Sequence, residues 1–215
     1  VSEDEYLSGN VREKLKEARL AAQSDKAYES NVEALEKVQP KDLTASEISV
    51  RLGATWIPKG DIADFMFELL ETPNYNRWNI KVRFSTFTGE WQIEGKSNDK
   101  GNVRANNIYG THRANAYRII EDTLNLRDTR IYDYEVDDEG KRKAILNKKE
   151  TAIAQGKQDL IKQAFTDWIW RDPERRQRLT AYYNENFNAI RPREYDGSHL
   201  NFYGMNPEIK LRQHQ

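Results

Sequence analysis

Glu94-Gly95-Lys96, closing the run Trp91-Gln92-Ile93, has the Glu-x-Lys spacing that presents a carboxylate to a divalent ion and a lysine to an attacking water in metal-assisted hydrolysis. That chemistry needs another acidic ligand upstream, and between Asp64 and Glu90 the only carboxylates are Glu68 and Glu71, both on an amphipathic helical stretch. Solvent-facing strand charges are the better account of so short a pattern. Asp133, Glu135, Asp137, Asp138 and Glu139 crowd together, but the glycine and closing glutamate of a calcium loop are not at the required offsets. His112, His199 and His214 stand too far apart to share a metal. No Ser/His/Asp grouping, no Gly-x-x-x-x-Gly-Lys-[Ser/Thr] phosphate loop and no Gly-x-Gly-x-x-Gly turn is present. With no cysteine there are no thiolate ligands, disulfides or cysteine nucleophiles. The expectation is a chain with no catalytic residue, metal site or cofactor of its own.

The positive candidate is a basic and aromatic set in the C-terminal third: Lys157, Lys162, Trp170, Arg171, Arg175, Arg176, Arg178, Arg191 and Arg193. Residues 141–215 hold 15 Lys+Arg against 9 Asp+Glu, a net +6 that leaves −7 on residues 1–140 of a chain whose net charge is −1. An anionic partner, nucleic acid above all, is expected nearer this third, the arginines binding phosphates while Trp170 stacks. Against that, Asp167, Asp172, Glu174, Glu185 and Glu194 are interleaved, and Glu174 with Arg178 makes an ordinary i, i+4 pair. DNA contact and salt bridging between domains both remain open for these arginines. Thr44 to Trp56 has the outline of a helix-turn-helix, but Pro58 would fall in the first turns of its recognition helix, so a structural helix-loop-helix is expected.

Positioning these groups falls to elements that the hydrophobic spacing outlines. Residues 9–22 and 25–38 read as a helical hairpin, with Val11, Leu15 and Ala18 on one helix and Tyr28, Val32 and Leu35 on the other. Thr44 with Glu47 forms a capping box and Leu43 with Ile48 a hydrophobic staple, predicting a helix that stops at Gly53. Asp61 is expected to cap a helix carrying Ile62, Phe65, Met66, Leu69 and Leu70. Ile80, Val82 and Phe84 then alternate with polar residues, Thr88-Gly89 offers a turn, and Trp91 and Ile93 resume the alternation, which predicts a β-hairpin. Residues 97–110 read as loop, and Thr111 as the cap of a helix with Ala114, Tyr117, Ile120 and Leu124.

A second hairpin joins Ile131–Val136 to Lys143–Leu146 across Asp137-Asp138-Glu139-Gly140. From Lys148 to about Arg171 runs a long helix with Ile153, Leu160, Ile161, Ala164, Phe165, Trp168 and Ile169 on one face. Asp172-Pro173 starts another, with Leu179, Tyr182, Tyr183 and Phe187 as its buried stripe. Beyond Asn188 an extended tail still carries Tyr195, Leu200, Phe202, Tyr203, Met205 and Ile209, which suits chain lying against a surface. The fold class is α+β, mostly helical, with two β-hairpins and an extended C-terminal tail. The expected division is a lobe over 1–140, a long helical pair over 141–190 and the tail over 191–215.

The strings Glu5-Tyr6-Leu7-Ser8-Gly9-Asn10-Val11-Arg12-Glu13-Lys14-Leu15, Val50-Arg51-Leu52-Gly53-Ala54-Thr55-Trp56-Ile57-Pro58, Ala164 to Arg176, and Arg191-Pro192-Arg193-Glu194-Tyr195-Asp196-Gly197-Ser198-His199-Leu200 resemble a known linker. It joins an N6-adenine DNA methylase to a Snf-type, superfamily-two helicase in large bacterial mobile-element proteins. The resemblance spans nearly the whole chain. It extends to Met205 through Gln215, which is similar to the adenine-reading Q motif ahead of a helicase phosphate loop, with Gln213 where the family usually has proline. It implies that Gln215 contacts adenine, in an incomplete nucleotide site; an amide both donates to and accepts from a base edge. The methylase's Asn-Pro-Pro-aromatic motif is absent, since Glu208 follows Asn206-Pro207.

The resemblance, with a start at Val1 in polar sequence, implies a non-catalytic internal piece, expected to couple or position DNA. Its partners would be DNA and the flanking methylase and helicase domains in cis. S-adenosylmethionine, ATP and magnesium would belong to the parent protein alone. A sequence-reading target-recognition domain and a structural spacer are the alternatives. No apolar run approaches the ~20 residues needed to span a bilayer, so a cytoplasmic, monomeric piece without a membrane partner is expected.

Overall fold

The structure is a computed structural model, and it describes residues 3–136, 140–193 and Gly204. Along the chain run α1 (Glu3–Tyr6), β1 (Gly9–Asn10), α2 (Val11–Ser24) and α3 (Glu29–Lys37). There follow α4 (Lys59–Leu70), α5 (Asn74–Arg77), β2 (Lys81–Ser85), β3 (Glu90–Glu94) and α6 (Ala116–Leu124). The last are β4 (Tyr132–Val136), β5 (Arg142–Leu146), α7 (Lys148–Ile169), α8 (Pro173–Asn186) and β6 (Ile190–Arg191). The fold is α+β and mostly helical, and its strands pair as three two-stranded antiparallel sheets among the described residues. Both expected hairpins form, and β1 with β6 is a third pair. Most of the expected tail, with its apolar residues, the Asp137-Asp138-Glu139 tip, His199, His214 and Gln215 lie outside the described residues. No helix among the described residues is long and apolar enough to cross a membrane.

The chain divides into two compact units, residues 1–43 with 181–215, and residues 44–180. In the first, Asn10 caps α2 by accepting from the Glu13 amide at 3.2 Å, and Val11, Leu15 and Ala18 meet Leu35 of α3 in a small core. β6 lies antiparallel to β1 with Gly9 opposite Arg191. Arg12 ties the return of the chain to this hairpin, donating to the Asn188 carbonyl at 2.9 Å and the Pro40 carbonyl at 3.1 Å and pairing with Asp42. Asn184 is buried because its amide replaces a strand partner for Leu43, accepting from its N–H and donating to its carbonyl, both at 2.8 Å.

The second unit is built on α4, α6 and α7. Phe65 of α4 meets Phe165 of α7 edge-on, with ring centroids 5.0 Å apart, and Trp168 at 5.5 Å. The predicted helix after Thr44 does not form. Thr44 and Glu47 do bond as a capping pair, at 2.8 Å, but one turn later the chain leaves the helical path. Gly53, at φ +97°, passes so close to the end of α6 that a Cβ there would stand 2.5 Å from the Leu124 carbonyl oxygen. Ile48, Leu52, Trp56 and Ile57 instead bury one by one as anchors of an irregular segment.

Two caps and two buried stripes differ from the sequence expectation. α4 starts at Lys59 behind Pro58, and Asp61 turns inward from its first turn to Arg178. α6 is capped by Asn115, which accepts from the Arg118 amide at 3.0 Å, whereas Thr111 closes its own turn on the amides of Arg113 and Ala114. The buried face of α7 is Thr151, Ala154, Gln158, Ile161, Phe165, Trp168 and Ile169, while Ile153 and Leu160 are exposed. On α8, Leu179 is buried, but Tyr182 is exposed and packs edge-on against Phe187, which is exposed just beyond the helix. The segment expected as loop over 97–110 contains a 3-10 turn, Lys96–Asp99, and a single π turn, Arg104–Ile108.

Candidate nucleic-acid interface

Most of the basic set drawn from the sequence is engaged inside its own unit. Arg178 makes a two-pronged pair with Asp61, one prong at 3.1 Å; that carboxylate is 5% exposed, and its hydrogen bond holds the guanidinium pKa above its ordinary value. Arg175 lies 3.4 Å above the Trp168 ring and donates to the Trp168 carbonyl at 2.7 Å and the Ile169 carbonyl at 3.1 Å. It adds to the backbone bonds that the Trp168 carbonyl accepts from Trp170 and Arg171, and serves the Ile169 carbonyl, whose i+4 residue, Pro173, has no N–H to give. Glu68 of α4 holds this end from the other side, accepting from Trp168 Nε1 at 2.6 Å and pairing with Arg171.

Trp170 is half-buried and stacks on Trp56 with centroids 6.4 Å apart. Lys157 donates to the Asn107 and Ile108 carbonyls at 3.2 and 2.7 Å, and Lys162 pairs with Asp159 at 3.3 Å. In the other unit Arg191 donates to the Leu7 carbonyl at 3.3 Å. Arg176 and Arg193 are exposed. The structure thus brings Glu68, Trp168, Arg171 and Arg175 together at one helix end and Asp61 with Arg178 at another. The Glu-x-Lys pair is likewise engaged: Glu94 with Arg83 at 2.9 Å, and Lys96 with Glu121 at 2.8 Å. Asp133 is held by Arg113 and by Asn147, hydrogen bonds that depress its carboxyl pKa. A depression of about 270 Å³ beside Arg51, Arg127 and Lys162 has Thr123 and Gln158 among its lining residues. Those two bond to each other at 3.1 Å and to the backbone of α6 and the segment after it.

A second surface, not singled out by sequence reasoning, lies on α5 and the β2–β3 hairpin. α5 is anchored through a buried polar network in which Asp99, 5% exposed, accepts from Tyr117 at 2.6 Å, Asn76 at 2.9 Å and Asn102 at 2.8 Å. Burial, and then the hydrogen bond to Asp99, push the Tyr117 phenol pKa up, so it remains a neutral donor. Thr72 closes the network on the Tyr117 hydroxyl at 3.0 Å. The hairpin is clamped by α6. Asn125 accepts from the Trp91 N–H at 2.8 Å and donates to its carbonyl at 2.9 Å, and Glu121 accepts from the Ile93 N–H at 2.6 Å. Side chains of a helix therefore do for the outer edge of β3 what a third strand would do.

On this stiff support three aromatic side chains point into solvent: Tyr75 at 75%, Trp78 at 85% and Phe87 at 99% exposure. Around them the charge is one-sided. The three carboxylates between residues 73 and 104 are all occupied: Glu90 by Arg127, Glu94 by Arg83, and Asp99 in the buried network. Of the basic residues, Lys81 and Lys100 have no ion pair among the described residues, and Arg77 uses one nitrogen on the Thr72 carbonyl at 2.9 Å. The signal in the sequence was Pro73-Asn74-Tyr75-Asn76-Arg77-Trp78, aromatics set among polar residues ahead of the alternation, and Phe87 between two threonines at a turn.

A family model described as a domain of unknown function (DUF8437) matches residues 51–189, more than half of the chain and nearly all of the second unit. No curated protein and no solved structure matches the chain.

Proposed function

We propose that this chain, which belongs to the DUF8437 family, is a non-catalytic nucleic-acid-binding module and that α5 with the β2–β3 hairpin is its contact surface. The observation that carries the reading is the charge disposition of that surface. Its carboxylates are all paired or buried, while Arg77, Lys81 and Lys100 keep donors for phosphates beside exposed aromatic rings. Lys and Arg that are free to neutralise phosphates release condensed counterions, which gives affinity without sequence preference. In the α7–α8 set, by contrast, Arg171, Arg175 and Arg178 already hold Glu68, helix carbonyls and Asp61. The resemblance to the linker between a DNA methylase and a Snf-type helicase supplies the setting, in which the module positions DNA for enzymes carried by the same protein. Within that proposal the S-adenosylmethionine, ATP and magnesium belong to those flanking enzymes, and Gln215 contributes an adenine contact to the helicase's nucleotide site.

Fluorescence anisotropy of labelled random oligonucleotides, at two salt concentrations, tests this. Binding is expected to weaken with salt with a log–log slope of about −2, and Lys81→Ala with Lys100→Ala is expected to flatten that slope by about 1.5. A strongly preferred genomic duplex would move the reading to target recognition. No binding even at low salt would leave a spacer.

A further inference from the structure

We infer that the nucleic acid taken by this surface is unpaired: single-stranded or locally unstacked, with bases stacking on Trp78, Tyr75 and Phe87. This rests on the reading of α5 and the hairpin as a nucleic-acid surface. In a duplex the faces of the bases are covered by their neighbours, and the grooves offer edges that are read by hydrogen bonds. An indole or phenyl face has a partner only where a base is free to leave its stack. The bidentate readers of a groove-binding element, arginine, asparagine and glutamine, are missing from the hairpin's exposed tip, which is Thr86-Phe87-Thr88-Gly89 with Phe87 at 99% exposure.

The tip is also held in shape. The Gly89 amide donates to the Ser85 carbonyl at 2.8 Å, the Thr88 amide to Ser85 Oγ at 3.2 Å, and Gly89 sits at φ +69°. Directly beneath it Phe84 and Trp91 pair across the strands with centroids 4.8 Å apart, and α6 clamps β3. Phe87 is thus presented on a rigid ribbon, and little ordering remains to oppose binding. Five residues of strand set it roughly 17 Å from the hairpin's base, where Trp78 precedes β2, a separation that a strand of several nucleotides spans. The flanking cations Lys81 and Lys100 supply the phosphate contacts for such a strand.

The experiment compares the full chain with its Trp78→Ala and Phe87→Ala variants, using oligo-dT of about 15 nucleotides and a random duplex of the same length. The side chains are exposed, so thermal melts of the variants should match the parent. Oligo-dT is expected to bind at least about ten-fold more tightly than duplex, and each variant to lose about ten-fold on oligo-dT while its duplex binding stays within about two-fold. Trp78→Phe is expected to keep most of the affinity. Equal binding of both probes with unchanged variants overturns the inference and leaves the cationic-surface reading standing. If neither probe binds at low salt, that reading fails and the inference fails with it; the exposed rings would then face a protein neighbour.

Discussion

Phe165→Ala is expected to lower the unfolding free energy of the 44–180 unit by about 3–5 kcal/mol, the usual cost of deleting a fully buried phenyl ring and leaving its cavity. Phe165 is 0% exposed and sits where α7 crosses α4. Its ring edge meets Phe65 at 5.0 Å, and Trp168 lies 6.3 Å away, so the hole would open among aromatic groups that cannot all close over it. Two further links depend on this junction: Glu68 reaching Trp168 Nε1 at 2.6 Å, and Arg175 stacked 3.4 Å above Trp168. Trp168 and Trp91 are buried, so the chain's tryptophan fluorescence reports the loss in a urea titration. A change below about 1 kcal/mol would contradict the packing of Phe165 between α7 and α4.

Gly95→Ala is the second large effect, at least about 3 kcal/mol, and comes from backbone rather than packing. Gly95 has φ +74°, where an L residue is strained, and an added Cβ would stand 1.9 Å from the Asn79 carbonyl oxygen. Neither the exit of β3 nor the entry of β2 can yield without moving the turn Lys96–Asp99. That turn carries the Lys96 ion pair with Glu121 and the buried Asp99. A matched control is Gly156→Ala. Gly156 is exposed within α7, a Cβ there meets nothing within 4 Å, and the change is expected to stabilise by about 0.5–1 kcal/mol. Chemical denaturation of the pair separates the two cases by sign. A neutral Gly95→Ala would contradict the close approach of these two strand ends.

The elements were legible wherever apolar periodicity and burial coincide. α4 was readable from Ile62, Phe65, Met66, Leu69 and Leu70, and β2–β3 from Val82, Trp91 and Ile93, because each of these side chains is buried. Hydrophobicity failed on α7 for a physical reason. Two positions of its inner stripe are polar because the strand-like segment opposite has backbone groups to satisfy. Thr151 accepts from the Ile131 N–H at 3.0 Å, and Gln158 accepts from the Thr129 N–H at 3.1 Å while donating to the Arg127 carbonyl at 2.7 Å. A reading that seeks apolar side chains places Ile153 and Leu160 in that stripe, and both face solvent.

The capping pair Thr44–Glu47 forms without its helix because Gly53 must pass under the end of α6, a constraint set 71 residues further along the chain at Leu124. The partners of the arginines are equally remote in sequence. Glu68 lies 103 residues from Arg171 and Asp61 lies 117 from Arg178, so local interleaving of charges could not assign them. Exposed aromatics are the hardest to read, since Trp78 and the buried Trp91 look alike until their surroundings are known.

Arg178, Arg175 and Arg171 hold Asp61, helix-end carbonyls and Glu68, whereas Tyr75, Trp78 and Phe87 stand in solvent and Lys81 and Lys100 have no ion pair among the described residues. Photo-cross-linking of the chain to an oligonucleotide carrying 5-iodouracil, followed by peptide mapping, reads the contact surface itself. Adducts are expected at Tyr75, Trp78 or Phe87. Adducts confined to the α7–α8 region around Trp170, or to residues 3–43, would contradict the proposed contact surface.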